Sequence, residues 1–173
     1  MTKPKAFRVA LSGTFQTGDG EPVFPMFDLA PLAGDPDIEF AYVPGVDGRM
    51  TGESLEDFDA LVLLLEKFDA DSVPHSGRLA LVTRFGVGYD TVDVPACTAA
   101  GIAVGITPDG VRRPVATAIL TYILALAGKL MAKDALVRGG PESFALRSNH
   151  MGTGLVGRTL GSIGLGNIGA ELA

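Results

Sequence analysis

The segment Leu79–Gly88, LALVTRFGVG, determines the fold that we expect for this chain. It begins as a continuous apolar run of strand length and ends in the glycine-containing turn Gly86-Val87-Gly88. A strand without alternating polar residues is typical of a parallel sheet that is buried on both faces. A second run of this kind, ALVLLL, covers Ala60–Leu65.

Strand and helix patterns alternate along the N-terminal part of the chain. Further strands are predicted at Phe7–Leu11, Ile38–Val43 and Ile102–Val104. Helical segments are predicted at Met26–Leu32, at a turn that Ser54 caps and that runs to Asp57, and from the N-cap Asp93 through Ala100. This order predicts an α/β fold with a flavodoxin-like parallel sheet, whose ligands bind beyond the carboxyl ends of the strands.

A long helix is predicted from Pro114 to about Val137, because proline suits the first helical position and Gly139-Gly140-Pro141 ends the pattern. The helix is apolar nearly all round in its first part, so we expect a second domain or a second subunit to cover it. The uncharged run Pro114–Gly128 has fifteen residues, whereas a membrane span needs ~20. A buried helix is therefore expected, and no membrane partner.

The composition indicates a globular protein and argues against several classes of partner. Hydrophobic residues make up 47% of the chain, and the net charge is -6. No basic stripe is available to displace counterions, so no nucleic-acid partner is expected. The single cysteine, Cys97, and the absence of a signal-peptide pattern favour a cytoplasmic protein. No group of side chains has metal-ligand spacing, so no metal is expected.

A second glycine motif, GLGNIG at Gly164–Gly169, matches G-x-G-x-x-G. The apolar segments Leu155-Val156 and Leu160–Ile163 precede it, the latter as a predicted strand, and a helix start follows it. In such a loop Gly164 allows a tight turn, Gly166 lets a pyrophosphate approach the backbone, and Gly169 lets the helix pack closely.

The amides near Asn167 and Ile168 would face the bound anion at the positive end of the helix dipole. The motif therefore predicts a dinucleotide-binding loop, and the alternative is a tight strand–helix turn that binds nothing. The acidic residue that holds the ribose is expected ~20 residues beyond the glycines, but the sequence ends at Ala173. NAD and NADP are thus not distinguished. We expect that the natural protein continues or that the open reading frame is truncated, because the last residues form a helix without a stop signal.

Two motifs together resemble the D-isomer-specific 2-hydroxyacid dehydrogenases, a family that includes glyoxylate/hydroxypyruvate reductases and phosphoglycerate dehydrogenases. They are RFGVGYDTVDVPACTAAGIAV at Arg84–Val104 and GRTLGSIGLGNIG at Gly157–Gly169. The resemblance covers essentially the whole chain and about the first half of a family member. It implies an NAD(P)-dependent oxidoreductase that is a homodimer and acts on a small 2-hydroxyacid or 2-oxoacid.

The resemblance also implies two domains. Residues 1–110 would form the substrate domain without its C-terminal helix. Residues 111–173 would contain the interdomain helix, the connector, and the first strand and glycine loop of a truncated Rossmann nucleotide-binding domain.

The resemblance assigns the substrate carboxylate to the backbone amides of Val87 and Gly88. Consecutive amides in a glycine-containing turn form an anion-binding nest, which supports this assignment. Arg84 is a candidate for adding positive charge there, and the alternative is an ion pair with Asp90 or Asp93.

The family's catalytic Arg, Glu and His would lie beyond residue 173. Neither His75 nor His150 is placed to replace them, because a general base needs a positioned partner. The 173-residue chain alone is therefore expected to be inactive.

Two positions depart from the common family pattern. Ile106 stands where many members have an Asn before Thr107-Pro108, and Thr117 stands where many have a Glu. Substrate preference is therefore open, and Thr117 is a candidate for contacting the nicotinamide through its hydroxyl group. Arg112 and Arg113 are interpreted as solvated loop residues ahead of the helix.

Three functions remain open at this point. The first is an oxidoreductase that acts on the CH–OH group of a D-2-hydroxyacid or reduces a 2-oxoacid. The second is a non-catalytic fragment that binds a small carboxylate or associates with another chain. The third is an enzyme similar to alanine dehydrogenase, against which the GVGYD segment speaks.

Overall fold

The computed structural model describes residues 6–173 of the chain. The chain forms two compact units, Met1–Pro108 and Asp109–Ala173. All strands of the described residues lie in the first unit, and the second unit contains only helices and irregular segments.

Five parallel strands form one sheet in the order β2-β1-β3-β4-β5. They are β1 (Phe7–Ser12), β2 (Ile38–Val43), β3 (Ala60–Leu63), β4 (Leu81–Arg84) and β5 (Ala103–Ile106). The register pairs Val9 of β1 with Phe40 of β2 and with Ala60 of β3. This order confirms the predicted flavodoxin-like α/β fold, and it brings the carboxyl ends of all five strands to one edge.

The hydrophobic core lies on both faces of the sheet. Successive residues of a strand point to opposite faces, so Ala10 packs with Leu61, Leu63 and Val82 in one cluster. Its neighbours Val9 and Leu11 pack with Ala60, Leu64 and Phe15 in the other cluster. Burial of both faces explains the near-continuous apolar runs of β3 and β4.

Three short α-helices connect the strands: α1 (Ala30–Ala33), α2 (Gly52–Leu55) and α3 (Val94–Ala99). The predicted cap of α3 is confirmed, because the Ala96 amide donates to Asp93 Oδ1 over 2.9 Å. The predicted cap of α2 is wrong. Ser54 lies inside that helix, and its amide donates to Oγ1 of the true N-cap, Thr51.

The helix predicted at Met26–Leu32 is shorter than expected. The Ala30 amide donates to Asp28 Oδ1 over 2.9 Å, so the helix begins only after this aspartate. A turn closes ahead of it, with the Phe27 amide donating to the Phe24 carbonyl. Asparagine and aspartate side chains favour such turns because they compete for backbone amides.

The second unit contains α4 (Pro108–Ala127), α5 (Leu130–Arg138), a 3-10 helix at Pro141–His150, and α6 (Asn167–Leu172). The single helix predicted from Pro114 to Val137 is therefore wrong at two points. The helix begins at Pro108, which takes the position where a missing amide is tolerated. It breaks at Lys129, whose left-handed φ of 52° ends the helical hydrogen bonding.

The strand predicted at Leu160–Ile163 is wrong as well, and Leu155-Val156 is also irregular. Residues 151–166 contain no strand, and Ile163 is fully exposed. A strand needs neighbours to satisfy its backbone groups and cover its apolar faces, and the described residues offer none to this segment.

Helix α4 is exposed along most of its length in the single chain, and its cover by a second domain or a second subunit stays a prediction. Ala116 is its only buried residue, and Leu126 is 79% exposed. By length and composition it is the one helix of the described residues that could cross a membrane, which by itself is weak evidence. The early start at Pro108 supplies this length, but it also adds Asp109, Arg112 and Arg113 to the helix.

Candidate functional site

The loop that follows β4 is fixed by the segment that follows β5. The Gly86 amide donates to Thr107 Oγ1 over 2.8 Å, and the Thr107 amide donates to the Gly86 carbonyl over 2.8 Å. Gly86 has a φ of +138°, a conformation that L side chains rarely adopt. The glycine at position 86 and the hydroxyl of Thr107 therefore determine the backbone conformation at the start of the Val87-Gly88 segment.

The next two amides, of Val87 and Gly88, have no acceptor within residues 6–173. Val87 is half-buried and Gly88 is exposed at the carboxyl edge of the sheet. Two consecutive amides without partners are an anion-binding arrangement, since each can donate to the same carboxylate. The geometry is compatible with the predicted substrate site, and the binding role of both residues stays a prediction.

Arg84 lies against the same turn. Its Nη1 contacts the Phe85 carbonyl, and a Cβ added to Gly86 would stand 2.6 Å from this nitrogen. No ion pair between Arg84 and Asp90 or Asp93 is present in the described part of the chain, and Asp93 instead caps α3. The guanidinium is thus left to add positive potential beside the free amides.

A buried carboxylate, that of Glu66, organises the neighbouring ends of β1 and β3. It accepts from the Thr14 amide (2.9 Å), from Thr14 Oγ1 (2.7 Å) and from the Leu65 amide (3.2 Å). Burial raises the pKa of Glu66, but hydrogen bonds from Thr14 and Ser12 outweigh it, so the pKa lies below 4.5. Sequence reasoning missed this residue, although a lone acidic residue directly after ALVLLL was a visible signal.

Four phenylalanine rings pack against one another, and one of them, Phe85, stands two residues before the first free amide. We name them the phenylalanine cluster (Phe15, Phe24, Phe27 and Phe85). Phe15 stacks on Phe27 with ring centroids 4.8 Å apart. Phe85 meets Phe15 edge-on at 5.4 Å, Phe27 at 5.3 Å and Phe24 at 5.7 Å. Phe15 is buried, whereas Phe24 and Phe85 keep 39% and 37% of their surface exposed.

The glycine loop of the second unit shows the backbone that the motif predicts. Gly164 has a φ of +97°, and a Cβ on Gly169 would stand 2.7 Å from the Gly164 carbonyl oxygen. A Cβ on Gly166 would meet nothing within 4 Å, so the space in front of this residue is open to a ligand. Gly166 is the N-cap of α6 and offers no side chain to its amides. These residues fit a dinucleotide's diphosphate, with the Asn167 and Ile168 amides as donors.

Helix α6 is attached to α4 by ion pairs. Glu171 lies 2.8 Å from Arg113 Nε and 3.4 Å from Arg112 Nε. The interpretation of these arginines as loop residues is wrong, because the early start of α4 places both inside the helix. Both side chains nevertheless remain exposed to solvent, at 41% and 80%, while they pair with Glu171. The hydrogen bond from Arg113 lowers the pKa of Glu171.

Thr117 lies one turn further along α4. Its hydroxyl donates to the Arg113 carbonyl over 2.9 Å, and the residue lines a cavity of about 250 Å³ together with Glu171 and Leu172. The structure thus brings Thr117 to the last turn of α6. Its contact with a nicotinamide stays a prediction.

A family model described as the catalytic domain of D-isomer specific 2-hydroxyacid dehydrogenases matches residues 28–123. A glyoxylate reductase of Thermococcus litoralis is 34% identical over 126 residues, which cover 70% of this chain and 38% of that protein. A D-3-phosphoglycerate dehydrogenase of Mycobacterium tuberculosis is 34% identical over 137 residues, covering 79% of this chain and 25% of that protein. The chain thus spans between a quarter and two fifths of the length of these relatives.

Solved structures agree with the fold. The D-lactate dehydrogenase of Aquifex aeolicus, solved in complex with NAD and lactic acid, superposes with a TM-score of 0.72 at 23% identity. The match covers 95% of this chain and 46% of that one.

Proposed function

The chain belongs to the D-isomer specific 2-hydroxyacid dehydrogenase family, and from this premise we propose that the whole protein is an NAD(P)-dependent oxidoreductase. It would oxidise the CH–OH group of a D-2-hydroxyacid or reduce the matching 2-oxoacid. The observation that carries the proposal is the pair of free amides at Val87 and Gly88, at the carboxyl end of β4.

In this proposal the residues of the chain bind and orient the substrate. The Val87 and Gly88 amides donate to the substrate carboxylate, and Arg84 adds positive potential beside them. Because the Gly86–Thr107 hydrogen bonds fix the turn, the amides need little reorganisation when the anion arrives.

The glycine loop at Gly164–Gly169 is proposed to hold the diphosphate of the cofactor. A nicotinamide cofactor, when bound, supplies or accepts the hydride. The expected Arg, Glu and His that polarise the carbonyl and move the proton are proposed to lie outside these 173 residues, so the chain alone is expected to be inactive.

We also propose that a second copy covers α4 in a homodimer. The support is the exposed apolar surface of this helix, with Leu120, Tyr122 and Leu124 each about half or more exposed. Contiguous apolar patches of this kind mark interaction sites in proteins.

Binding at the free amides is tested on the 173-residue chain by two-dimensional amide NMR. Glycolate should shift the Val87 and Gly88 signals in a saturable way, whereas glycolamide, which lacks the charge, should leave them in place. If glycolate shifts the amide signals of other residues more strongly than those of Val87 and Gly88, the proposed carboxylate site is wrong.

Activity is tested on the full-length protein by oxidation of NADH and NADPH with a panel of 2-oxoacids. No turnover with any of these acids would contradict the proposed oxidoreductase function.

A further inference from the structure

The phenylalanine cluster adjoins the proposed carboxylate site along the chain itself. Phe85 is separated from Val87, the first free amide, only by Gly86, whose path Thr107 fixes. A molecule whose carboxylate binds the Val87 and Gly88 amides is therefore brought within reach of the Phe85 ring. This relationship concerns the same site as the proposed function, and the inference rests on that function.

The exposed ring of Phe24 is held in place by a hairpin. The Thr17 amide donates to the Glu21 carbonyl over 2.8 Å, and the Val23 amide donates to the Phe15 carbonyl over 2.9 Å. Gln16 Nε2 adds a hydrogen bond to the Gly20 carbonyl within the same turn. The hairpin sets Phe24 5.7 Å from Phe85, so the two exposed rings form one apolar wall.

The phenylalanine cluster has two layers, the exposed wall of Phe24 and Phe85 and the two rings beneath it. Phe15 and Phe27 stack beneath it and belong to the core on that face of the sheet. Phe24 and Phe85 keep more than a third of their surface exposed. Exposed aromatic rings beside an anion-binding turn are typical of a ligand site, in which apolar walls surround a few placed polar groups.

The charges around the wall disfavour an anionic side chain on the ligand. Residues 9–48 contain no Lys or Arg, and the hairpin and the residues after it carry Asp19, Glu21 and Asp28. A phosphate or a second carboxylate at this position would compete with the substrate carboxylate for the Arg84 guanidinium, which contacts the Phe85 carbonyl. Glycolate, which carries only a hydrogen atom in place of a side chain, would make no contact with the two rings of the wall.

We propose that Phe24 and Phe85 determine specificity for D-2-hydroxyacids with a large apolar side chain, above all an aromatic one. The substrate carboxylate lies on the Val87 and Gly88 amides, and its side chain packs on the two rings. Offset or edge-on contacts between aromatic rings stabilise a complex beyond the burial of apolar area. We expect an advantage of about tenfold over an acid without a side chain, which corresponds to ~1.4 kcal/mol.

The test compares three stable acids that differ only in the side chain: glycolate, D-lactate and D-3-phenyllactate. Each is titrated into the 173-residue chain, and the Val87 and Gly88 amide signals are followed together with the ring signals of Phe24 and Phe85. D-3-Phenyllactate should bind about tenfold more tightly than glycolate, and it alone should shift the ring signals strongly.

Variants assign the effect to the rings. Phe85→Ala and, separately, Phe24→Ala should reduce the preference for D-3-phenyllactate to less than about threefold while glycolate binding changes little. Phe7→Ala is the matched control, because Phe7 is a comparably exposed ring, at 46%, at the opposite end of β1. Urea unfolding checks that each variant is folded, and the comparison of the three acids on the unaltered chain holds even where a variant is not.

The outcomes separate the two proposals. Amide shifts with all three acids but equal affinities, or a preference that survives both ring variants, would overturn the role of the wall and leave the carboxylate site intact. No amide shift with any acid would remove the carboxylate site and the wall with it.

Discussion

Gly86 and Thr107 are joined by hydrogen bonds in both directions, and the two shortest of them measure 2.8 Å. The bonds join the loop after β4 to the residue after β5, so they connect the ends of two neighbouring strands. The proposed carboxylate site begins at the next residue, Val87. The conformation of this site is therefore controlled by a threonine that lies twenty-one positions further along the chain.

Replacing Thr107 should weaken the turn at Gly86 without altering the Val87 and Gly88 residues that form the proposed carboxylate site. Thr107→Val removes the hydroxyl and leaves the buried Gly86 amide with the Arg84 carbonyl, at 2.9 Å, as its acceptor. We therefore expect the loss of one hydrogen bond, ~0.5–1.5 kcal/mol of unfolding free energy. Thr107→Ser keeps the hydroxyl and should stay close to the unaltered chain. Urea unfolding measures the stability, and glycolate titration should show weaker binding only for the valine variant. Equal stability of the two variants would show that the hydrogen bond does not support the turn.

The backbone conformation of Gly86 can be tested against its neighbour Gly88. Gly86→Ala forces a side chain onto a residue with a φ of +138°, and such strain costs on the order of 1–3 kcal/mol. At Gly88 an added Cβ would have Asp90 Oδ2, at 3.9 Å, as its nearest neighbour, and the residue has no left-handed φ. The unfolding midpoint of Gly88→Ala should therefore stay close to that of the unaltered chain. Denaturation of both variants by urea makes the comparison, and an equal loss in both would contradict the strain at Gly86.

The ion pair of Arg78 and Asp59 should be the most sensitive charge pair of the first unit. Arg78 Nη2 lies 2.6 Å from Asp59 Oδ2, both side chains are less than a fifth exposed, and Asp59 also accepts from the Arg8 amide. Arg78→Met removes two hydrogen bonds from a guanidinium to a largely buried carboxylate, so we expect a loss of roughly 2–4 kcal/mol. Arg49→Met breaks two more exposed pairs, with Asp69 and Asp71, and should cost less, about 1 kcal/mol or below. Urea unfolding measures both losses of unfolding free energy. A loss for Arg49→Met that equals or exceeds the loss for Arg78→Met would contradict the prediction.

The stability of the first unit should depend on pH through Glu66. Its folded-state pKa lies below the ordinary 4.5, because the hydrogen bonds from Thr14 and Ser12 outweigh the effect of burial. A carboxylate with a lowered pKa adds stability that is fully present above 4.5 and is lost as the pH falls through the lower folded value.

Glu66→Gln should therefore lower the unfolding free energy at neutral pH by about 1–3 kcal/mol, and the gap to the unaltered chain should narrow below pH 4.5. Glu53→Gln, at an exposed position in the first turn of α2, is the control and should change little. Unfolding curves collected between neutral pH and the acid range measure the gap, and a gap that does not change with pH would contradict a titrating role of Glu66.

Much of the first unit could be predicted from the sequence because the signals there are local. Apolar runs of strand length give β3 and β4, and the aspartate ahead of Val94-Pro95 gives the N-terminus of α3. The alternation of these elements then leaves few sheet topologies other than the parallel one that is observed.

The second unit was predicted less well because its signals depend on partners. The residues of Leu160–Ile163 have strand character, but no strand forms without a neighbour to pair with. Helix α4 was placed correctly in type but not in bounds, since proline is tolerated both at Pro108 and, at the loss of one hydrogen bond, at Pro114.

The sequence by itself determined the α/β class, the strand-end position of Val87 and Gly88, and the positions at which glycine allows a backbone conformation that other residues rarely adopt. These follow from hydrophobic periodicity and from the conformational freedom of glycine, both of which act between near neighbours. Only the tertiary structure decided that Thr107 fixes Gly86, that Thr14 and Ser12 hold the Glu66 carboxylate, and that Phe24 and Phe85 meet. These residues lie far apart along the chain, and the parallel sheet brings them to one edge because all five strands end there.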